Sequence, residues 1–235
     1  MTTSGRTVTV QARPAPLTVD TAATAVLVID MQNDFGSPGG MFARAGIDLS
    51  SIGRAVEPTV RVIAAARAAG LPIVYLKMAH RPDLSDVGAP DSPHWFRHKR
   101  MRVGESVTAP NGAPSRILID GTWNTDILAE LTPLAGDIVI RKHRYSGFFE
   151  TDLDATLRRI GARTLIVTGC TTSVCVESTI RDAMFRDYSC LLLEDCTGQP
   201  SFPGTAFSTH EASLLMIETI FGSVTGSDAF LTAIK

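Results

Sequence analysis

RTLIVTGCTTSVCVESTIRDAMFRDYSCLLLED, residues 163–195, is the stretch on which the fold turns. RTLIVTG (163–169) is a short apolar run, the mark of a strand buried on both faces. Residues 174–187 then place Val176, Ile180, Ala183 and Met184 on one helical face, and SCLLLED (189–195) is again a strand-length apolar run. Strand, helix and strand in close succession are the repeating unit of a parallel sheet covered by helices.

The same alternation runs through most of the chain. AVLVID (25–30) reads as a strand. Residues 54–69 read as a helix with Val56, Val60, Ile63 and Arg67 on one side and Gly70 as the stop. PIVYLK (72–77) and DIVIRK (137–142) are further strands. Between those two, residues 78–122, broken by Pro82, Pro90, Pro93, Pro110 and Pro114, read as irregular. A helix is expected over 152–160, with Thr151 as N-cap, acids in its first turn and Arg158 and Arg159 in its last. A closing helix is expected over 205–221. The whole predicts an α/β protein: three layers, α-β-α, around a mostly parallel, doubly wound sheet. Residues 1–20, with Pro14 and Pro16, read as an extended N-terminal arm, neither helix nor buried strand, and 21–235 as one domain.

Composition narrows the function classes. With 22 basic and 24 acidic residues the net charge is −2, which gives no reason to expect nucleic acid or an anionic membrane as partner. No apolar run approaches the ~20 residues needed to span a bilayer, and the first twenty residues lack the apolar core of a secretory signal. The cysteines (170, 175, 190 and 196) have neither disulfide-framework nor paired C-x-x-C zinc spacing, so a reduced, cytoplasmic setting is expected.

In doubly wound sheets ligands bind beyond the carboxyl ends of the strands. Three of those ends carry reactive groups: Asp30, Lys142 and Cys175. Cys175 follows a turn of small residues near a helix start, where the dipole favours a thiolate and free N–H groups face any developing oxyanion. Each residue also has a plain structural explanation: a small core thiol, a lysine that snorkels to water and a turn-forming acid. As a set they make a carboxylate able to take the thiol proton and an ammonium able to hold both anions.

VIDMQNDF (28–35), RKHRYSGFF (141–149) and TGCTTSVCVEST (168–179) resemble the three signature segments of the isochorismatase-like cysteine hydrolases, and the resemblance spans about residues 15–225. Within that family, GSPGG, DIVIRKHRYSGFFETDLD, TTSVCVESTIRD and IETIFG look most like the ureidoacrylate amidohydrolases, while HRPDL and LLLEDC are similar to biuret hydrolases. The resemblance implies Asp30 as general base, Lys142 as triad lysine and Cys175 as nucleophile. It also implies a cis Cys170–Thr171 peptide that aims the Thr171 N–H, with that of Cys175, at the oxyanion. Nicotinamidases of this fold add an Asp-x-His and a second His after the first strand. No His lies between Asp30 and Lys77, so neither metal nor cofactor is expected.

The expected activity is cleavage of a C–N bond in a small linear ureido or carbamoyl compound of the ureidoacrylate type, releasing ammonia or carbamate. Biuret, triuret and N-carbamoylsarcosine are alternative substrates within the fold. A non-catalytic α/β binding module is the alternative from another class, against which stands the lack of any G-x-G-x-x-G or Walker motif after a strand. Gln32, Phe35, Arg81 and Tyr145 are candidate substrate contacts, with Phe148 a candidate for pocket or core. HWFRHKRMR (94–102), rich in Arg and Lys, reads either as a solvated or subunit-contact loop or as a lid giving positive potential to an anionic substrate. The expected partner is a small molecule, and the chain is expected to form a homo-oligomer, dimer or tetramer.

Overall fold

The computed structural model describes residues 5–201 and 208–235. Strands β1 (Thr7–Val10) and β2 (Leu17–Asp20) form an antiparallel ribbon. They are followed by β3 (Thr24–Ile29), the short helical turns α1 (Asn33–Gly36) and α2 (Met41–Arg44), the long helix α3 (Ser50–Ala68) and β4 (Ile73–Met78). Helix α4 (Pro93–Arg100) and the small hairpin β5 (Ser106–Thr108) and β6 (Pro114–Arg116) precede β7 (Ile138–Lys142). Then come α5 (Leu153–Arg159), β8 (Thr164–Cys170), a π turn over Thr172–Val176 leading into α6 (Glu177–Met184), and β9 (Ser189–Gly198). The chain closes with α7 (Thr209–Met216), a second π turn over Ile217–Phe221, β10 (Ser223–Thr225) and α8 (Ser227–Ile234).

The main sheet has six strands in the order β10-β9-β8-β3-β4-β7, every pair parallel. From β3 the chain steps outward through β4 to β7, then returns to the other side of β3 with β8 and steps outward again. The direction of winding therefore reverses between β3 and β8, the topological switch point where a ligand crevice opens. Val26, Val28, Tyr75 and Ile166 face one buried layer, with α3 and α8; Leu27, Ile29, Leu76 and Val167 face the other, with α5 and α6. Strands buried on both faces account for the apolar runs in the sequence.

Three expectations need correction. The N-terminal arm is a ribbon with Val10 and Val19 fully buried, and Arg13 pairs its backbone with Val224, so alternating Thr and Val residues outweigh the prolines. Helix α3 buries Ile52, Ala55, Thr59, Val62, Ile63 and Ala66, whereas Val60 is exposed. The buried stripe lies beside the one expected because small Ala and Thr residues, not only Val, let the helix approach β9. The segment 78–122 holds a helix and a hairpin. Ser92 caps α4 by accepting from the Trp95 N–H at 3.1 Å, with Pro93 at the first helical position. Of the closing helix, residues 205–207 lie outside the described residues.

Candidate active site

Strand β3 ends at Asp30, whose φ of 53° is a left-handed conformation uncommon outside glycine. Such geometry costs on the order of 1–3 kcal/mol and concentrates at functional sites. It turns the carboxylate back beneath the sheet end, where Oδ1 accepts from the Met78 N–H at 3.0 Å and Oδ2 lies 2.7 Å from Lys142 Nζ. Neither side chain is more than 1% exposed. Lys142 also donates to the Arg144 carbonyl at 3.1 Å. The snorkelling open to Lys142 in the sequence does not occur, because the carboxylate lies within the core.

Strand β8 reaches Asp30 from the other side. Gly169, at φ +125°, makes this approach possible: a Cβ there would stand 2.1 Å from the Ile29 carbonyl oxygen. Cys170 then donates its thiol to the Asp30 carbonyl at 3.0 Å, and the Cys170–Thr171 peptide is cis. Among the described residues the Thr171 N–H donates to no protein acceptor. Gln199 holds the turn by accepting from the Ser173 N–H and hydroxyl, each at 2.9 Å. Cys175 lies in the π turn that starts the helix, where the charges of both Asp30 and Lys142 act on its thiol.

Electrostatics alter one expectation. Burial, then the Asp30 charge, pushes the Cys175 thiol up, and Lys142 only partly opposes this. Burial likewise raises the Asp30 carboxyl despite the Lys142 charge. Burial disfavours the Lys142 ammonium too, yet Asp30 and then Cys175 outweigh it and raise its pKa. These shifts favour a neutral Cys175 thiol and a protonated Lys142, and they draw the Asp30 carboxyl toward its neutral form. Burial of Cys175 therefore opposes the thiolate that the dipole at a helix start favours.

A cavity of about 310 Å³ opens over this group. Cys175, Thr171 and Val174 form one end, with Asp30 and Lys142 behind them. Phe35, Met41, Phe42, Met78, Met101, Val103 and Leu118 make apolar walls; Tyr145, His98 and Arg97 are the polar lining. Phe35 and Phe42 meet edge to face with centroids 5.1 Å apart. A second hollow of about 690 Å³ shares Met41, Phe42, Arg97, Met101, Thr171 and Val174 with it and adds Arg44, Arg100 and Arg102. The basic stretch 94–102 is therefore largely helical and overlooks the cavity, with Arg97 facing in.

Of the candidate substrate contacts, Phe35 and Tyr145 line the cavity. Gln32 does not: its amide donates to the Met78 and Thr125 carbonyls, both at 2.9 Å, and accepts from the Met78 N–H at 2.8 Å. Arg81 also lies outside it, exposed and turned toward the Ser85 hydroxyl. Phe148 belongs to the core, against Tyr188. The sequence reading missed Asp34, fully buried four residues after Asp30. It accepts from the Met41 N–H at 2.8 Å, the Leu118 N–H at 2.7 Å and the Asn124 amide, and so ties together the segments that carry Met41 and Leu118 of the cavity wall. Burial raises its carboxyl to about 6 despite these donors.

Comparisons with known proteins place the chain in a family and match its fold. The isochorismatase domain profile matches residues 24–229. An ureidoacrylate amidohydrolase of Methylorubrum extorquens is 42% identical over 234 residues, covering 99% of this chain and 92% of the relative. That of Cronobacter sakazakii is 40% identical over 229 residues, 97% of this chain and 96% of the relative. Among solved structures, a cysteine hydrolase from Pseudomonas syringae pv. phaseolicola superposes with a TM-score of 0.78 at 31% identity, covering 92% of this chain and 94% of that one. The N-carbamoylsarcosine amidase of Thermoplasma acidophilum gives 0.61 at 28% identity, covering 87% and 96%.

Proposed function

The chain belongs to the isochorismatase family and is a hydrolase of C–N bonds, and we propose that it cleaves a small ureido compound of the ureidoacrylate type with Cys175 as nucleophile. The observation that carries this assignment is the buried Asp30–Lys142 pair at 2.7 Å, set behind a cavity-lining cysteine at the switch point of the sheet. A neutral thiol beside a carboxylate requires proton transfer during attack rather than a standing thiolate. Asp30 accepts the proton as the sulfur–carbon bond forms, and Lys142 stabilises the anions on both partners. The Thr171 and Cys175 N–H groups receive the oxyanion. Protonated Asp30 then returns its proton to the leaving nitrogen as the C–N bond breaks, and ammonia or an amine departs. Water, deprotonated by Asp30, hydrolyses the remaining acyl or carbamoyl thioester. A carbamate product loses carbon dioxide.

Two features support a small substrate with a carboxylate. A volume of about 310 Å³ lies at the low end of ligand cavities, and Arg97, with Arg44, Arg100 and Arg102 beyond it, supplies positive charge at the open side. Phe35 and Tyr145 are the proposed walls for the planar ureido group. A reduced, cytoplasmic setting fits the four free cysteines, and no described helix is long and apolar enough to cross a membrane. A homo-oligomer fits the exposed Phe185, Leu215 and Ile220. The test is ammonia release over ureidoacrylate, biuret, triuret, N-carbamoyl amino acids and nicotinamide. Preferred turnover of ureidoacrylate is expected; strong turnover of nicotinamide alone overturns the ureido assignment.

A further inference from the structure

Beside the cavity, His80, His94 and His98 bring one ring nitrogen each to within 4.8 Å of one another. His94 and His98 stand four residues apart on α4 and so project from one face of that helix. His80 comes from the chain just beyond β4, where its N–H donates to the Leu118 carbonyl and its carbonyl accepts from Asp120. The rings lie close, with centroids 3.9 Å apart and tilted for His94–His98, and 4.7 Å apart and edge to face for His80–His98.

The hydrogen bonds of the rings give the cluster a direction. His80 Nδ1 lies 3.1 Å from the Asp86 carboxylate, which Arg141 holds from its other oxygen at 2.8 Å. His98 Nδ1 lies 2.7 Å from the His94 carbonyl oxygen. In the His80 and His98 rings Nδ1 faces an oxygen acceptor, which favours the tautomer that leaves the Nε2 lone pair free. The Nε2 atoms of His80 and His94 are buried with no hydrogen-bond partner. Buried polar atoms without partners are uncommon, and two in one cluster require an occupant or a cause.

We propose that His80, His94 and His98 form a site for an imidazole-preferring divalent transition metal of the zinc class, which clips α4 to the end of β4 beside the cavity. The absence of histidine between Asp30 and Lys77 does not bear on it, since its donors lie at 80, 94 and 98. At a metal–nitrogen distance of ~2.0–2.1 Å, tetrahedral donors stand roughly 3.3 Å apart. The donors must therefore close in by no more than about 1.5 Å, which side-chain rotation and a small helix shift supply. A carboxylate behind one ligand and a carbonyl behind another are the usual supports of metal-bound imidazoles. Because Arg97 lies between His94 and His98 in α4 and lines the cavity, the clip also fixes the cation proposed to meet the substrate carboxylate.

The test is a cobalt titration of the chelator-treated, full-length protein, read by its visible d–d absorption, followed by displacement with Zn2+. One equivalent of Co2+ per chain, displaced by Zn2+, is expected. His98→Gln and His94→Gln should abolish the band, and Asp86→Asn, which leaves all three ligands in place, should weaken binding about 10–100-fold. Failure of the wild-type protein to take up stoichiometric Co2+ or Zn2+ overturns the proposal. So does a thiolate-to-cobalt charge-transfer band, which would put the ion on the cysteines, or unchanged binding in both glutamine variants. The readout is metal uptake, so it stands apart from the identity of the substrate.

Discussion

Replacing Lys142 by Met tests the buried ion pair on which the proposed chemistry rests. The ammonium and carboxylate are 2.7 Å apart and at most 1% exposed. At an effective dielectric constant of about 20, the direct attraction at that distance is about 6 kcal/mol, opposed by the desolvation of both ions. Removing one partner of such a pair leaves an uncompensated buried charge and costs about 3–5 kcal/mol. With a urea dependence of about 2–3 kcal/mol per molar, the unfolding midpoint of Lys142→Met should fall by roughly 1–2 M at pH 8. The double variant Asp30→Asn/Lys142→Met, with no buried charge, should lie closer to wild type than the single variant. Loss of the ammonium raises the folded-state pKa of Asp30 further above its unfolded value. The associated stability is then fully present below the unfolded value and lost as pH rises through the folded one, so the deficit of Lys142→Met should shrink as pH is lowered from 8 to 5. Urea unfolding followed by circular dichroism across that range is the assay. A single variant within about 1 kcal/mol of wild type, or a double variant less stable than the single one, refutes the buried pair.

Cys175→Ala should lower kcat by about 10⁴-fold or more while leaving the unfolding midpoint nearly unchanged. Iodoacetamide should modify Cys175 before Cys170, Cys190 and Cys196, since it alone of the four lines the cavity; peptide mapping after partial labelling decides this. The pH profile of kcat/KM should rise along an acid limb lying above the ordinary carboxylate range, because Asp30 must be ionised to take the thiol proton and burial has raised it. It should show no inflection at the ordinary thiol value, because the Cys175 thiol has been raised as well. Arg97→Met should raise KM for a carboxylate-bearing ureido substrate by about 10–100-fold and change turnover of neutral biuret far less; equal effects on both would remove Arg97 from carboxylate recognition.

Much of the fold was legible because a parallel sheet buries both faces of its strands, so β3, β4, β8 and β9 appear as uninterrupted apolar runs. Asp30, Lys142 and Cys175 were legible for a related reason: each ends or follows such a run, and the strand ends converge. Edge and loop structure was harder to read. β10 is three residues long and α8 only eight, so neither repeats its hydrophobic pattern often enough to stand out. Helix α4 carried a usable signal in Ser92-Pro93, a cap followed by proline at the first helical position, but the surrounding prolines and the charge of 94–102 masked it. Gln32 and Arg81 do not line the cavity, because proximity to a strand end does not say which way a side chain turns. Gln32 turns toward the Met78 and Thr125 carbonyls and donates to both. Asp34, and the meeting of His80 with the His94–His98 pair, depend on contacts between distant segments, for which local spacing gives no sign.

The most direct test of Cys175 as nucleophile is rapid-quench mass spectrometry of the protein turning over ureidoacrylate. The account predicts a transient acyl or carbamoyl adduct, confined to the peptide containing Cys175, that forms and decays at rates consistent with kcat and is absent from Cys175→Ala. Full turnover by Cys175→Ala, or an adduct mapped to Cys170, Cys190 or Cys196, would contradict it.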